Sequence, residues 1–149
     1  MKQLQNIVCA ALLMLLGSCD SANYISSVPA VPVYYTINVM AEDPSFVPAS
    51  TGSYKIVTAP RYATDRIGYA GLLIYIGMDM NHHAFDLACP HCLNIARHVE
   101  VDGMFAVCPV CEEKYDLSYG YGTPTTGISK EALRKYRCNW NGTTLTVMN

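Results

Sequence analysis

Four cysteines and one histidine form two short groups in the middle of the chain, and their types and spacing are those of metal ligands. The first group holds Cys89, His91 and Cys92, and the second holds Cys108 and Cys111. Read through the histidine the pattern is C-x-H-x16-C-x2-C, and read through sulfur alone it is C-x2-C-x15-C-x2-C. Thiolate and imidazole serve both iron–sulfur clusters and zinc. The sequence therefore offers five candidate ligands for four positions.

The N-terminus has the features of an export signal. The apolar run Ile7 to Leu16 follows a short segment that carries Lys2, and ten residues are too few to span a bilayer as a helix. The run ends in Leu-Gly-Ser-Cys, which resembles the lipobox of bacterial lipoproteins and implies a lipid on Cys19. An ordinary cleaved signal, with an accidental cysteine, is the alternative. We expect an exported protein anchored to a membrane and facing the periplasm or the cell surface.

Length and charge limit what the rest of the chain can be. Removal of the predicted signal peptide, residues 1–18, leaves 131 residues with nine basic and twelve acidic side chains, which is one domain with a net charge of about −3. No basic block is present, so we expect no nucleic-acid partner. Residues 19–32 are rich in Ser, Ala, Val and Pro and are predicted to be a tether. The folded domain is predicted to cover residues 33–149.

Short β-branched and aromatic runs separated by turn residues predict an all-β sandwich or barrel. Candidate strands are residues 33–39, 54–57, 72–76, 136–140 and 143–147. The Asn141-Gly142 pair predicts a type I′ hairpin turn flanked by Trp140 and Thr143. A helical pattern occurs only over residues 129–135. The two cysteine groups are predicted to form loops at the tip of the β domain.

The tip and the strands that follow it resemble the Rieske 2Fe–2S domain family over about residues 70–147. The resemblance rests on residues 84–91, on Val107 to Cys111, on Tyr115-Asp116-Leu117 with Gly120, and on the Gly122 to Gly127 stretch. It implies a Rieske-like β-sandwich whose small two-loop subdomain resembles a zinc ribbon. It also implies a one-electron carrier with an unknown redox partner protein.

In the Rieske resemblance, Cys89 and Cys108 hold one iron of a 2Fe–2S cluster, and His91 and Cys111 hold the other. The family pattern ends in a second histidine, so Cys111 is the main departure of this chain from the family. A third thiolate adds negative charge and implies a lower potential. Tyr115 matches a family tyrosine that can hydrogen-bond near the cluster, whereas Glu113 stands where high-potential members carry a serine.

Other interpretations of the same residues remain open. In the zinc alternative, Cys92 replaces His91 and the four cysteines hold one tetrahedral ion, as in zinc ribbons and rubredoxin-like sites. A site without metal, in which the cysteines form disulfides, is a further alternative. The segment Cys89-Pro90-His91-Cys92 also resembles the redox motif of thioredoxin-fold oxidases, but the residues after it are only weakly helical.

The remaining histidines and the last cysteine have less specific interpretations. His82 and His83 are predicted to lie in a solvent-exposed turn, and His98 lies between the two cysteine groups without a sign of ligation. Cys138 is predicted to be a small buried side chain on a strand. No nucleophile–base pair, carboxylate pair or phosphate loop is evident, so we do not interpret the chain as an enzyme.

Overall fold

The computed structural model describes residues 26–149, which form eleven strands and one short helix. The elements, in chain order, are β1 Val33–Asn38, α1 Val39–Glu42, β2 Tyr54–Val57, β3 Arg66–Ile67, β4 Leu72–Ile76, β5 His82–Asp86, β6 Glu100–Asp102, β7 Phe105–Val107, β8 Lys114–Asp116, β9 Thr123–Pro124, β10 Lys135–Trp140 and β11 Thr144–Met148. The prediction of an all-β protein is confirmed. The predicted signal peptide, residues 1–18, and Cys19 lie outside the described residues.

All strand pairs are antiparallel, and they form a large sheet and a small one. The large sheet has seven strands in the order β2-β4-β5-β10-β11-β1-β3, and the small sheet has four in the order β6-β7-β8-β9. The strands of the small sheet lie between β5 and β10 in the chain. The large sheet therefore contains strands that precede the small sheet in sequence and strands that follow it. The segment that carries both cysteine groups is therefore one insertion between paired strands.

Strand β4 explains why the large and small sheets form one unit. Leu72, Ile74 and Ile76 belong to the hydrophobic cluster inside the large sheet, which includes residues of β1, β10 and β11. Leu73 and Tyr75 point to the opposite face and pack in a second cluster with residues of the small sheet. A strand that is buried on both faces must be apolar throughout, which is the pattern that its sequence shows.

The second cluster is the platform of the cysteine tip. It contains Phe85 and Leu87 from the β5 side, and it includes the fully buried Cys89, Cys108 and Tyr115. Two of the tip cysteines are therefore part of a hydrophobic core, and β4 and β5 connect that core directly to the large sheet.

The C-terminal hairpin is confirmed, but its turn lies one residue later than predicted. Trp140 pairs with Leu145, and the N–H of Asn141 donates to the carbonyl of Thr144, so Gly142 and Thr143 form the two-residue loop. The Asn141 side chain accepts hydrogen bonds from the N–H groups of Thr143 and Thr144. This side-chain turn satisfies the backbone and places Gly142, with φ 92°, at the first loop position.

The predicted helix over residues 129–135 is absent from the structure, where the segment is a loop leading into β10. The Ser129 hydroxyl donates to the carbonyl of Glu131 and accepts from its N–H, an arrangement that competes with a helix. Helix α1 was not predicted from the sequence. In it, Asn38 accepts from the N–H of Ala41, and Glu42 accepts from the N–H of Asn38. These two bonds cap a helix of one turn.

The first described residues lie against the domain as a short strap. Arg134 donates to the carbonyls of Ser26 and Val28, and the N–H and hydroxyl of Ser27 donate to the carboxylate of Glu131. Val28 is fully buried. The chain is therefore held to the domain from residue 26 onward, several residues before β1 begins. None of the helices among residues 26–149 has the length and apolar character to cross a membrane.

Candidate metal centre

The two cysteine groups fold into two loops with the same backbone, which we call the first knuckle, residues 89–93, and the second knuckle, residues 108–112. In the first, the N–H of Leu93 donates to the carbonyl of Cys89 at 2.8 Å, and in the second, that of Glu112 donates to Cys108 at 2.9 Å. Leu93 and Glu112 both have positive φ, at 50° and 60°. The chain therefore reverses in the same way after each Cys-Pro-x-Cys.

Four sulfur atoms converge between the knuckles. The Sγ atoms of Cys89 and Cys111 are 3.7 Å apart, and those of Cys92 and Cys108 are 3.8 Å apart. All four lie within 4.8 Å of one another. Cys89 and Cys108 are buried and Cys92 and Cys111 are half-buried, so each knuckle contributes one inner and one outer sulfur. All five cysteines of residues 26–149 are free thiols. The disulfide bonds of the metal-free alternative are therefore not present in this part of the chain.

His91 lies beside this group and is exposed to solvent. Its Nδ1 is 3.7 Å from the Sγ of Cys92, and it does not belong to the set of converging ligand atoms. The structure thus brings together three of the four ligands in the Rieske assignment, Cys89, Cys108 and Cys111, and adds Cys92. The assignment of His91 as a ligand stays a prediction.

Hydrogen bonds from the backbone are aimed at the inner sulfurs. The N–H groups of His91 and Cys92 bond to the sulfur of Cys89, and those of Val110 and Cys111 bond to the sulfur of Cys108. The hydroxyl of the buried Tyr115 lies 3.1 Å from the Cys89 sulfur, as the family resemblance implied for this tyrosine. Such donors stabilise a thiolate more than a thiol.

The sulfurs are too crowded to carry four negative charges unaided. Burial, together with the nearby Cys111 and Cys108 sulfurs, raises the pKa of Cys92. Burial also raises the pKa of Cys89, whereas at Cys108 the hydrogen bonds from Cys111 and Val110 outweigh burial and lower the pKa. A bound cation is the usual means by which proteins hold such a group of thiolates together.

The dimensions of the sulfur group fit one tetrahedral ion. Metal–sulfur bonds of about 2.3 Å place the corners of a tetrahedron about 3.8 Å apart. The two measured sulfur pairs, at 3.7 and 3.8 Å, agree with this edge. Ligands of a two-iron cluster must enclose two irons and their bridging sulfides, and so they need a wider group. The residues present therefore fit a single metal bound by four cysteines.

A buried carboxylate supports each knuckle. Asp86 lies three residues before Cys89 and is fully buried. It accepts hydrogen bonds from the N–H groups of Tyr69, Ala70 and Ala88 and from the hydroxyl of Tyr136. These bonds fix the strand end from which the first knuckle begins.

Glu113 has the same role behind the second knuckle. It is fully buried, and its carboxylate accepts from the N–H groups of Thr125, Thr126 and Ser129 and from the Thr126 hydroxyl. Burial alone would raise the pKa of Glu113, but these bonds outweigh it and lower the pKa to about 2. The carboxylate is thus directed at the 125–129 loop, and it ties that loop to the knuckle. The sequence gives no sign of this support, because most of the partners of Glu113 are backbone groups.

The other candidate residues lie away from the sulfur group. His82 and His83 are 6% and 8% exposed on β5, so the prediction of an exposed turn is wrong. His82 packs between Phe46 and Trp140, and His83 pairs with Asp79, which explains why the strand accommodates two histidines. Cys138 lies on β10 as predicted, but it is half-buried, and burial raises its pKa to about 12. His98 does not belong to the converging ligand atoms.

Comparison with known proteins gives the fold and no family. No family model and no curated protein matches this sequence. Among solved structures, this chain resembles a protein chain from the complex of reduced oxygenase and oxidized ferredoxin in carbazole 1,9a-dioxygenase. The identity is 15% and the TM-score 0.51, over 78% of this chain and 93% of that chain. It also matches the Sphingomonas yanoikuyae B1 ferredoxin, at 16% identity and a TM-score of 0.45, over 69% of this chain and 93% of that one. The predicted Rieske-like fold is confirmed.

Proposed function

We propose that this protein is an exported, lipid-anchored module that holds one metal ion between two knuckles of a Rieske-like fold. Cys89, Cys92, Cys108 and Cys111 are the proposed ligands. The observation that carries the proposal is the convergence of these four sulfurs within 4.8 Å. The coarser conclusion, a metal-binding or electron-transfer module with a four-cysteine group, does not depend on the choice of metal.

Zinc is the ion that we propose, and its role is structural. Four protein ligands close a tetrahedral site and leave no position for substrate, which is the arrangement of structural zinc. When bound, zinc neutralises half of the thiolate charge and links the two knuckles. The chain supplies the remaining stabilisation through the backbone donors to Cys89 and Cys108 and through the Tyr115 hydroxyl.

A second candidate is a one-electron carrier with a 2Fe–2S cluster on Cys89, His91, Cys108 and Cys111. Two observations favour it: the Rieske-like fold, and the position of the His91 ring beside the Cys92 sulfur, with 3.7 Å between Nδ1 and Sγ. In this candidate Cys92 is not a ligand, and a redox partner protein receives or supplies the electron. The similar solved structure comes from a complex of an oxygenase and a ferredoxin, which is consistent with a protein partner.

Metal and sulfide analysis separates the two candidates. The full chain is purified from membranes without air, and bound metals, acid-labile sulfide and the visible spectrum are measured. One zinc per chain, without sulfide or colour, supports the proposed module. Two irons and two sulfides per chain, with a visible chromophore, support the electron carrier. Protein without metal, and with disulfides between the knuckles, would contradict both candidates.

The lipid anchor has its own test. We expect the Cys19→Ala chain to stay unprocessed or to be released from membranes, because the cysteine is the proposed acceptor of the lipid. Mass spectrometry and membrane fractionation measure both properties. An unchanged mature mass, with unchanged fractionation, would show that Cys19 is not lipidated.

A further inference from the structure

The strap at the start of the described chain lies beside the metal tip. Ser27 donates two hydrogen bonds to Glu131, and it lines the same surface groove as His91, Leu93 and Ile128. The groove has a volume of about 470 Å³. Arg134 also holds Ser26 and Val28, so the first described residues lie beside the first knuckle.

The chain between the proposed lipid and the first described residue is short. Ser26 is the seventh residue after Cys19. A fully extended chain of that length spans at most about 25 Å. A small domain is roughly 30 Å across. With a lipid on Cys19, the knuckle end beside Ser26 would therefore stay within about 25 Å of the bilayer surface.

That end also exposes four apolar side chains, which we call the collar. Its members belong to the two knuckles or to segments that adjoin them: Leu93, Ile95, Val110 and Ile128. Their exposed fractions are 40%, 55%, 53% and 46%. Several branched aliphatic side chains exposed at one end of a domain mark an interaction surface more strongly than a single exposed one does.

We propose that the collar rests in the interfacial region of the bilayer that carries the Cys19 lipid, so that the metal tip faces the membrane. The inference rests on the lipid anchor of the proposed function. The lipid supplies one contact with the bilayer, and an apolar surface held beside it supplies a second. Nearby charges are mixed: Arg97 and Lys130 are basic, and Glu100 and Glu112 are acidic. The contact is therefore apolar and insensitive to salt.

The test measures the depth of single tryptophans in the lipidated full chain. Ile95→Trp and Met40→Trp are each made in a Trp140→Phe background and reconstituted into protein-free vesicles that contain brominated lipids. Met40 is 50% exposed and lies beside the Thr143 hairpin at the opposite end of the domain. We expect the tryptophan at position 95 to shift to the blue and to lose most of its emission, in low and in high salt. The tryptophan at position 40 should keep its emission.

Mass spectrometry and metal analysis of the same samples assign each outcome. An unquenched tryptophan at position 95 in protein with both lipid and metal overturns the inference and leaves the proposed function intact. Quenching in lipidated protein that lacks metal supports the inference and contradicts the metal site. A Cys19 without lipid overturns both the anchor and this inference.

Hydrogen exchange on the unsubstituted protein repeats the test without tryptophan variants. Amides of residues 93–97 and 108–112 should be protected on vesicle binding, whereas those of residues 39–42 should not. Protection in native membranes but not in protein-free vesicles would show that the collar contacts a membrane protein and not the lipid surface. That result would overturn the proposal.

Discussion

The two knuckles share one backbone and differ in the residue between their cysteines, and that difference bears on the choice of ligand. Leu93 and Glu112 close the two loops with matching hydrogen bonds and positive φ values. Cys92 therefore occupies in the first knuckle the place that Cys111 occupies in the second. His91 occupies the place of Val110, a residue that cannot bind a metal.

The comparison shows how a Rieske-like fold can present a site of a different type. The first knuckle matches the Rieske pattern through His91, whereas the second, which ends in Cys111, matches only the four-cysteine pattern. Because both loops have the same conformation, a symmetric set of metal ligands takes the two cysteine sulfurs of each knuckle. The histidine then lies at the rim, where it is exposed.

Substituting the outer sulfurs should produce the largest effects. We expect Cys92→Ser and Cys111→Ser each to lower metal affinity by at least about 100-fold, because loss of a direct ligand should exceed the cost of losing an outer-shell partner. His91→Ala and Val110→Ala are the matched controls at the equivalent positions, and both should retain one metal per chain. Metal content after dialysis against a competing chelator measures the effect. Metal loss in His91→Ala, with retention in Cys92→Ser, would break the equivalence of the knuckles.

Removal of the metal should destabilise the tip more than the large sheet. The small sheet has strands of only two or three residues, and its core includes Cys89 and Cys108. A ligand present at 1,000 times its dissociation constant stabilises the fold by about 4 kcal/mol, which corresponds to a fall in Tm of roughly 15 °C on chelation. Calorimetry measures the Tm, and hydrogen exchange of β7 and β8 against β4 locates the change. Equal exposure of both sheets would contradict the account.

The two supporting carboxylates should contribute less than the ligands. We expect Asp86→Asn and Glu113→Gln each to cost about 2–3 kcal/mol in the free energy of unfolding, because an amide nitrogen then faces N–H donors in a buried place. Glu112→Gln, at an exposed neighbour, is the control and should cost nothing measurable. Denaturant unfolding of the metal-loaded protein measures the cost. A cost for Glu112→Gln equal to that for Glu113→Gln would point to net charge instead of hydrogen bonding.

Loss of the tyrosine donor should have the smallest effect. Among residues 26–149, only the first knuckle receives a hydroxyl, from Tyr115 to the sulfur of Cys89, so Tyr115→Phe tests an asymmetry between the knuckles. One hydrogen bond contributes about 1 kcal/mol, and we expect metal affinity to fall by less than about tenfold. Tyr119→Phe, an exposed neighbour, controls for loss of a hydroxyl. Competition with a chelator measures the affinities, and a 100-fold loss in Tyr115→Phe would show that the hydroxyl has a larger role.

The sequence predicts the regular strands well because their patterns are local. Residues 54–57 and 72–76 were predicted with the bounds of β2 and β4, where composition alone favours a strand. His82 and His83 were misplaced because their partners, Phe46 and Trp140 for one and Asp79 for the other, compensate for polarity in ways that no local pattern reveals. The loop over 129–135 was misread for a similar reason, since Glu113 accepts the Ser129 N–H from sixteen residues away.

The candidate site was predictable as a set of five residues, but not as a choice of four. Spacing fits both the Rieske and the ribbon patterns, and ligand identity depends on which way Cys92 and His91 turn. The carboxylates of Asp86 and Glu113 gave no signal, because acidic residues near a loop are usually solvated, and only burial with backbone partners reveals their role.

X-ray absorption at the metal edge of the unsubstituted protein tests the central claim most directly. One metal bound by the four knuckle cysteines predicts a shell of four sulfurs at about 2.3 Å, with no nitrogen ligand and no second metal nearby. The spectrum should be unchanged in His91→Ala. A metal–metal interaction together with a nitrogen ligand that His91→Ala removes would contradict the account and establish the two-iron cluster.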